Sequence, residues 1–141
     1  MADQQVHEIM TAAPVAVGTL TAVPEVARRM RDEDIGAVLV TDGGELRGVV
    51  TDRDLVVRVL AAGQDPGSST VADACSQEPV SVGPGEPVDR AVELMREHAL
   101  RRLPVVDDRG GVLGVVSLGD LAVERDPTSA LSDISMATPN N

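Results

Sequence analysis

The chain has 141 residues and is 43% hydrophobic, enough for a globular fold with a proper core and too apolar for a disordered segment. Its net charge is -11, all twelve cations are arginine, and Phe, Trp and Tyr are absent. Such a surface repels a phosphate backbone and has no aromatic platform for bases, which excludes DNA and RNA as partners and leaves room only for a small anion where arginines or backbone N–H groups converge.

In chain order, residues Pro14 to Gly18 read as a short apolar strand bounded by breakers. The helix after it places Val23, Val26, Ala27 and Met30 on one face at helical spacing, with Pro24 in its first turn. Two strands follow, Ala37 to Thr41 and Leu46 to Val50, joined by Asp42-Gly43-Gly44-Glu45 as in a hairpin. A second helix starts near Asp52, and residues 63–69 form a Gly/Pro/Ser-rich linker. The same order then returns. There is a strand at Pro79 to Gly83 and a helix with Val88, Ala91, Val92 and Met95 on one face. Strands Leu103 to Asp107 and Val112 to Val116 follow, and a helix starts near Leu118. From Pro127 to Asn141 the chain reads as a loose polar tail.

The return is an internal repeat. At a shift of 65 positions Val6 meets Val71, Pro14 to Gly18 meets Pro79 to Gly83, and Met30-Arg31 meets Met95-Arg96. One extra residue in the second turn moves the shift to 66, so Gly48-Val49-Val50-Thr51 meets Gly114-Val115-Val116-Ser117 and Asp54-Leu55 meets Asp120-Leu121. The expected organisation is repeat 1 over 1–62, the linker over 63–69, repeat 2 over 70–126 and the tail over 127–141. A repeat of about 60 residues with a sheet open on one face is marginal alone. The expected fold is therefore α/β (α+β), two βαββα repeats packed sheet to sheet as one pseudo-two-fold module.

Each repeat carries Gly, two apolar residues, a hydroxyl residue, two variable residues and Asp where a strand passes into a helix. A hydroxyl beside helix N-terminal N–H groups can hold a phosphate, and an ionised Asp, being acceptor-only, can take hydrogen bonds from a ribose diol. Thr51-x-x-Asp54 and Ser117-x-x-Asp120 equally have capping-box spacing, as does Thr70-x-x-Asp73, and spacing alone favours caps worth about 1 kcal/mol each without any ligand.

The duplicated Gly-x-x-Thr/Ser-x-x-Asp segment, together with Leu100-Arg101-Arg102-Leu103-Pro104-Val105-Val106-Asp107, resembles the CBS domains, named after cystathionine β-synthase. The likeness runs over about residues 6 to 125. It implies a paired, non-catalytic regulatory module that binds an adenosine-type nucleotide (AMP, ADP, ATP or S-adenosylmethionine) in the cleft between the repeats, with no required cofactor. On this resemblance Asp54 and Asp120 hold ribose hydroxyls, and Thr51 and Ser117 face phosphate or ribose, with Arg53 beside the first. The segments Ala12 to Ala16, with Val15, and Gln77 to Ser81, with Val80, line the base pockets. Arg101 and Arg102 become candidates for a phosphate bound beside Thr51 and Asp54. The second motif departs from the first, with Leu118 and Gly119 in place of Asp52 and Arg53. Gly36 and Ala37 stand where repeat 2 has the arginine pair.

Other groups point to less. His7 and His98 stand singly, without metal-ligand spacing, and no nucleophile-base grouping suggests an enzyme. Cys75 is the only cysteine, so no intrachain disulfide forms and a reducing cytoplasm fits. The start lacks a signal peptide's pattern, and no apolar run reaches the ~18 residues of a membrane span. Arginine without lysine, with abundant Ala, Val and Gly, suggests a high-GC bacterial source. A homodimer through the amphipathic helices and an unknown downstream protein partner are expected. The competing readings are a ligand-free structural or interaction module whose motifs only cap helices, and a stress-linked redox protein using Cys75.

Overall fold

The computed structural model describes residues 4–12, 14–77 and 79–137, with the side chain of Gln77 outside that description. After a 3-10 turn at Val6–Glu8 the elements are β1 (Thr11–Ala12), β2 (Ala16–Gly18), α1 (Val23–Glu33), β3 (Ala37–Asp42) and β4 (Glu45–Thr51). A short α2 (Asp52–Asp54) runs straight into a π-helical stretch, Leu55–Leu60. A 3-10 turn at Pro66–Ser68 precedes α3 (Val71–Ala74), β5 (Ser76–Gln77), α4 (Val88–His98), β6 (Arg102–Val106), β7 (Val112–Ser117), α5 (Leu118–Arg125) and α6 (Ala130–Met136).

The chain forms two compact units, and they exchange the segments that lead into each repeat. One unit is Val15–Pro79, and the other combines the described residues of Met1–Pro14 with those of Val80–Asn141. In the first unit the sheet order is β2-β3-β4-β5, with β2 and β3 parallel and the other pairs antiparallel. In the second the order is β1-β7-β6, all antiparallel. The strand expected at Pro79 to Gly83 is reduced to one parallel bridge between Val82 and Val105, with the Val82 N–H donating to Pro104 O at 3.0 Å. Val6 and Val71, equivalent by repeat, accordingly lie in opposite cores. Val71 packs with Val26, Val38 and Val50, and Val6 packs with Val88, Leu103 and Val116. Burying a valine contributes about 1.5–3 kcal/mol, and with aromatics absent branched aliphatics dominate each core, joined by Met30, Ala74 and Cys75 in the first and Ala91 and Met95 in the second.

Local rules explain most of the elements. The β3–β4 hairpin turns at Gly43 and Gly44, with φ of 61° and 86°, the left-handed pair that a two-residue hairpin turn requires. α1 buries Val23, Val26 and Met30 as expected, whereas Ala27 is exposed and lies off that face. α4 buries Val88, Ala91 and Met95, adds Leu94, and leaves Val92 half-buried. Both helices stop on a left-handed residue that is not glycine, Asp34 and Ala99, each at φ 53°. Residues 63–69 are anchored, because Ser69 O accepts from Val23 N at 3.0 Å and Thr70 bridges Ala22.

The stretch from Pro127 departs from a loose tail. The Ser129 side chain accepts from Ser132 N at 3.0 Å and starts α6, which folds back along α5 and buries Ser132 completely. Polar composition concealed this helix because the one residue it buries is a serine. Residues 138–141 of the expected tail lie outside the described residues.

Candidate functional site

Each motif begins at a glycine in the middle of a strand, and the structure gives that glycine a task. A Cβ on Gly48 would stand 2.3 Å from Ser76 O and 2.9 Å from Cys75 Sγ. A Cβ on Gly114 would stand 2.7 Å from Thr11 O and 2.7 Å from Met10 Sδ. Only glycine lets β5 lie against β4 and β1 against β7 at these points. Those crossing strands carry the segments expected to line a base pocket. Sequence reasoning placed both glycines in the motif without seeing their role. The available signal was a glycine inside an otherwise valine-rich strand.

At the strand end the first motif closes a capping box. Thr51 N donates to Asp54 Oδ2 at 2.8 Å, and Asp54 N donates to Thr51 Oγ1 at 3.1 Å. The second is its copy, with Ser117 N to Asp120 Oδ2 at 2.9 Å and Asp120 N to Ser117 Oγ at 3.0 Å. The bland reading of these residues is therefore realised, and caps of this kind are worth about 1 kcal/mol. It does not exhaust the carboxylates. An ionised carboxylate offers about four lone-pair sites, and the cap occupies one oxygen. Asp54 Oδ1 faces the Arg58 guanidinium at 3.5 Å, and the side chain stays 18% exposed. A third box forms around Thr70, whose N–H donates to Asp73 Oδ2 at 3.1 Å on an exposed turn, as expected for a cap alone.

Arg58 is a residue the sequence reading missed. It lies one helical turn after Asp54, and its Nη1 donates to Cys75 O at 3.4 Å, so it ties the motif helix to the chain leading into β5. The signal was the i,i+4 spacing of opposite charges. The second motif has Glu124 at that position.

The remaining expected site residues divide between the units. Thr51, Arg53, Asp54, Val15, Ala16 and the backbone of Gln77 belong to Val15–Pro79. Val15 is half-buried on the first core, while Ala16 and Arg53 are exposed. Ser117, Asp120, Ala12, Val80, Ser81, Arg101 and Arg102 belong to the other unit. There Ala12 is exposed in β1 opposite Gly114, and Val80 and Ser81 are half-buried. Arg102 is the cross-strand partner of Ser117, and Arg101 O accepts from Leu118 N at 2.8 Å. Both arginines are thus close to the motif of their own repeat; the equivalent partner of Thr51 is Ala37. Ala13 and Glu78, inside the two expected pocket segments, lie outside the described residues, as does the Gln77 side chain.

Cys75 is buried, and that burial pushes its thiol above the ordinary range, which keeps the reactive thiolate scarce. Among the described residues no group of three or more His, Cys, Asp or Glu could hold a metal ion, and no helix is long and apolar enough to cross a membrane.

The CBS domain family model matches the chain twice, over residues 6–61 and 71–125. The chain belongs to the CBS-domain family. It is 38% identical to the CBS domain-containing protein YhcV of Bacillus subtilis over 134 residues, 92% of this chain and 94% of that protein. A putative signal-transduction protein with CBS domains from Burkholderia ambifaria superposes with a TM-score of 0.78 at 30% identity, covering 89% of this chain and 96% of that one. A CBS domain protein from Pyrobaculum aerophilum complexed with AMP also superposes at 0.78, with 27% identity over 95% of this chain and all of that one (100%). The repeat boundaries of the CBS model fall inside the exchanged segments, so each CBS repeat contributes its leading residues to the other repeat's sheet.

Proposed function

We propose that this CBS pair is a non-catalytic regulatory module that binds an adenosine-type nucleotide on its first motif. The observation that carries the reading is the Asp54 carboxylate. It is fixed by its own cap through Oδ2 while Oδ1 is held at the mouth of a helix by Arg58. A carboxylate immobilised in this way can accept ribose hydroxyls with little further ordering. Arg53, exposed in the first turn, meets the phosphate. Arg101 and Arg102 are further candidates for that phosphate on the family resemblance alone. The AMP complex of the Pyrobaculum relative supports the ligand class. The ligand binds with a Kd of roughly 1 μM to 1 mM.

A melting panel with AMP, ADP, ATP and S-adenosylmethionine tests this. A ligand at about 100 times its Kd adds about 2.7 kcal/mol, a rise on the order of 10 °C. A flat response to every adenosine compound refutes the reading.

The ligand-free alternative has one observation in its favour, namely that all the Thr/Ser-x-x-Asp carboxylates do accept capping hydrogen bonds. It predicts that removing Asp54 lowers the melting point with no ligand effect to lose. The module works in the cytoplasm as a homodimer and passes its state to a protein partner. The exposed Val56, Val57 and Leu60 form the apolar strip that a second copy covers. Sedimentation showing only monomer at micromolar concentration contradicts the dimer.

A further inference from the structure

The two motifs differ at their sixth position, just before the aspartate, in a way that the repeat does not require. Arg53 in the first is exposed. Its counterpart Gly119 is pressed against α6. A Cβ on Gly119 would stand 2.6 Å from Ser135 Oγ, 3.0 Å from Ser135 Cβ and 3.6 Å from Ser117 Oγ. The position that carries an exposed arginine in one motif thus lies against α6 in the other, beside the motif hydroxyl. α6 lies outside the residues matched by the family model.

Its mode of docking is unusual. An amphipathic helix normally turns its apolar stripe inward. Here the one buried residue is Ser132; Ser135 touches Gly119 from an otherwise exposed position, and Ile134 and Met136 are 71% and 68% exposed. Burying serine in place of isoleucine gains little from the hydrophobic effect, so this helix is held by shape and by its tether. The tether is short. A turn at Asp126–Ser129, closed by Ser129 N donating to Asp126 O at 3.0 Å, returns α6 along α5.

We propose that α6 is a tethered cover on the second motif, closing Ser117 and Asp120 to nucleotide until it lifts. The proposal rests on the nucleotide reading above and adds that the two motifs are unequal because of a segment outside the repeats. The test counts AMP on the full chain by native mass spectrometry at saturating AMP, in the parent and in two variants that deny α6 its seat. Ser135→Leu places a bulky side chain where the Ser135 hydroxyl now lies against Gly119. Gly119→Arg restores the first motif's residue to the occupied space. The parent is expected to carry one AMP per chain and both variants two. Adding Asp120→Ala to either variant returns the count to one. Ile134→Ser, on the exposed face, leaves it at one. Amide exchange over residues 118–121 accelerates in Ser135→Leu and not in Ile134→Ser. Two AMP on the parent, or one on both α6-displacing variants, overturns the cover. AMP on none of these proteins refutes the nucleotide reading itself.

Discussion

Gly48→Ala tests whether the strand exchange, and not ligand chemistry, fixes the glycine at the head of each motif. The added Cβ would sit 2.3 Å from the Ser76 carbonyl oxygen, whereas carbon–oxygen contacts normally stand at about 3.3 Å or more. The overlap is therefore on the order of 1 Å against backbone, which no rotamer change relieves. Overpacking typically costs about 1–3 kcal/mol, and relief here requires β5 to peel from β4. Each ladder hydrogen bond lost adds about 0.5–1.5 kcal/mol. A loss of about 3 kcal/mol is expected, with a melting point lower by on the order of 10 °C. Gly85→Ala is the control, because its Cβ meets nothing within 4 Å, and it is expected to stay within about 0.5 kcal/mol of the parent. Urea titrations of the three proteins measure both differences. Gly48→Ala within about 0.5 kcal/mol of the parent would refute the steric account.

Ala99→Gly should stabilise the chain by about 1 kcal/mol, because Ala99 closes α4 at φ 53°, where a Cβ is penalised; a lower melting point would contradict this. Cys75 should resist iodoacetamide in the native chain and react once urea unfolds it, since burial withholds the thiolate. Its folded pKa is raised, so the associated stability is full below the unfolded thiol's pKa and is lost as pH rises through the folded value. The chain lacks Lys and Tyr, so Cys75 is the only side chain titrating in that alkaline range, and Cys75→Ala should flatten the fall in urea midpoint there.

The repeat made the order of elements legible. Offsets of 65 and 66 placed both hairpins, both amphipathic helices and both capping boxes near their observed positions. The exchange of leading segments was not legible, because Val6 and Val71 match each other equally well whichever core receives them. Ala27 was misplaced because periodicity alone does not say where an apolar stripe ends, and alanine is tolerated on either side of that edge. α6 was hidden because it packs serine against glycine, a contact governed by shape that hydrophobic patterning does not register. At the site, type and spacing identified Thr51, Asp54, Ser117 and Asp120, but spacing could not separate cap from ligand, and the geometry makes the cap part of the same carboxylate.

Asp54→Asn separates those two roles most directly. Asparagine keeps an oxygen for the Thr51 N–H and so keeps the cap, but replaces Oδ1, the acceptor beside Arg58, with an N–H donor. Calorimetric titration of parent and variant with AMP is the decisive measurement. Without ligand the melting point is expected to fall by no more than about 3 °C, the loss of the half-exposed Arg58 pair, and the AMP affinity to weaken by about tenfold or more, since a hydrogen bond to a charged group is worth about 1.5–3 kcal/mol. Equal AMP affinity in the two proteins would contradict the claim that Asp54 holds the nucleotide.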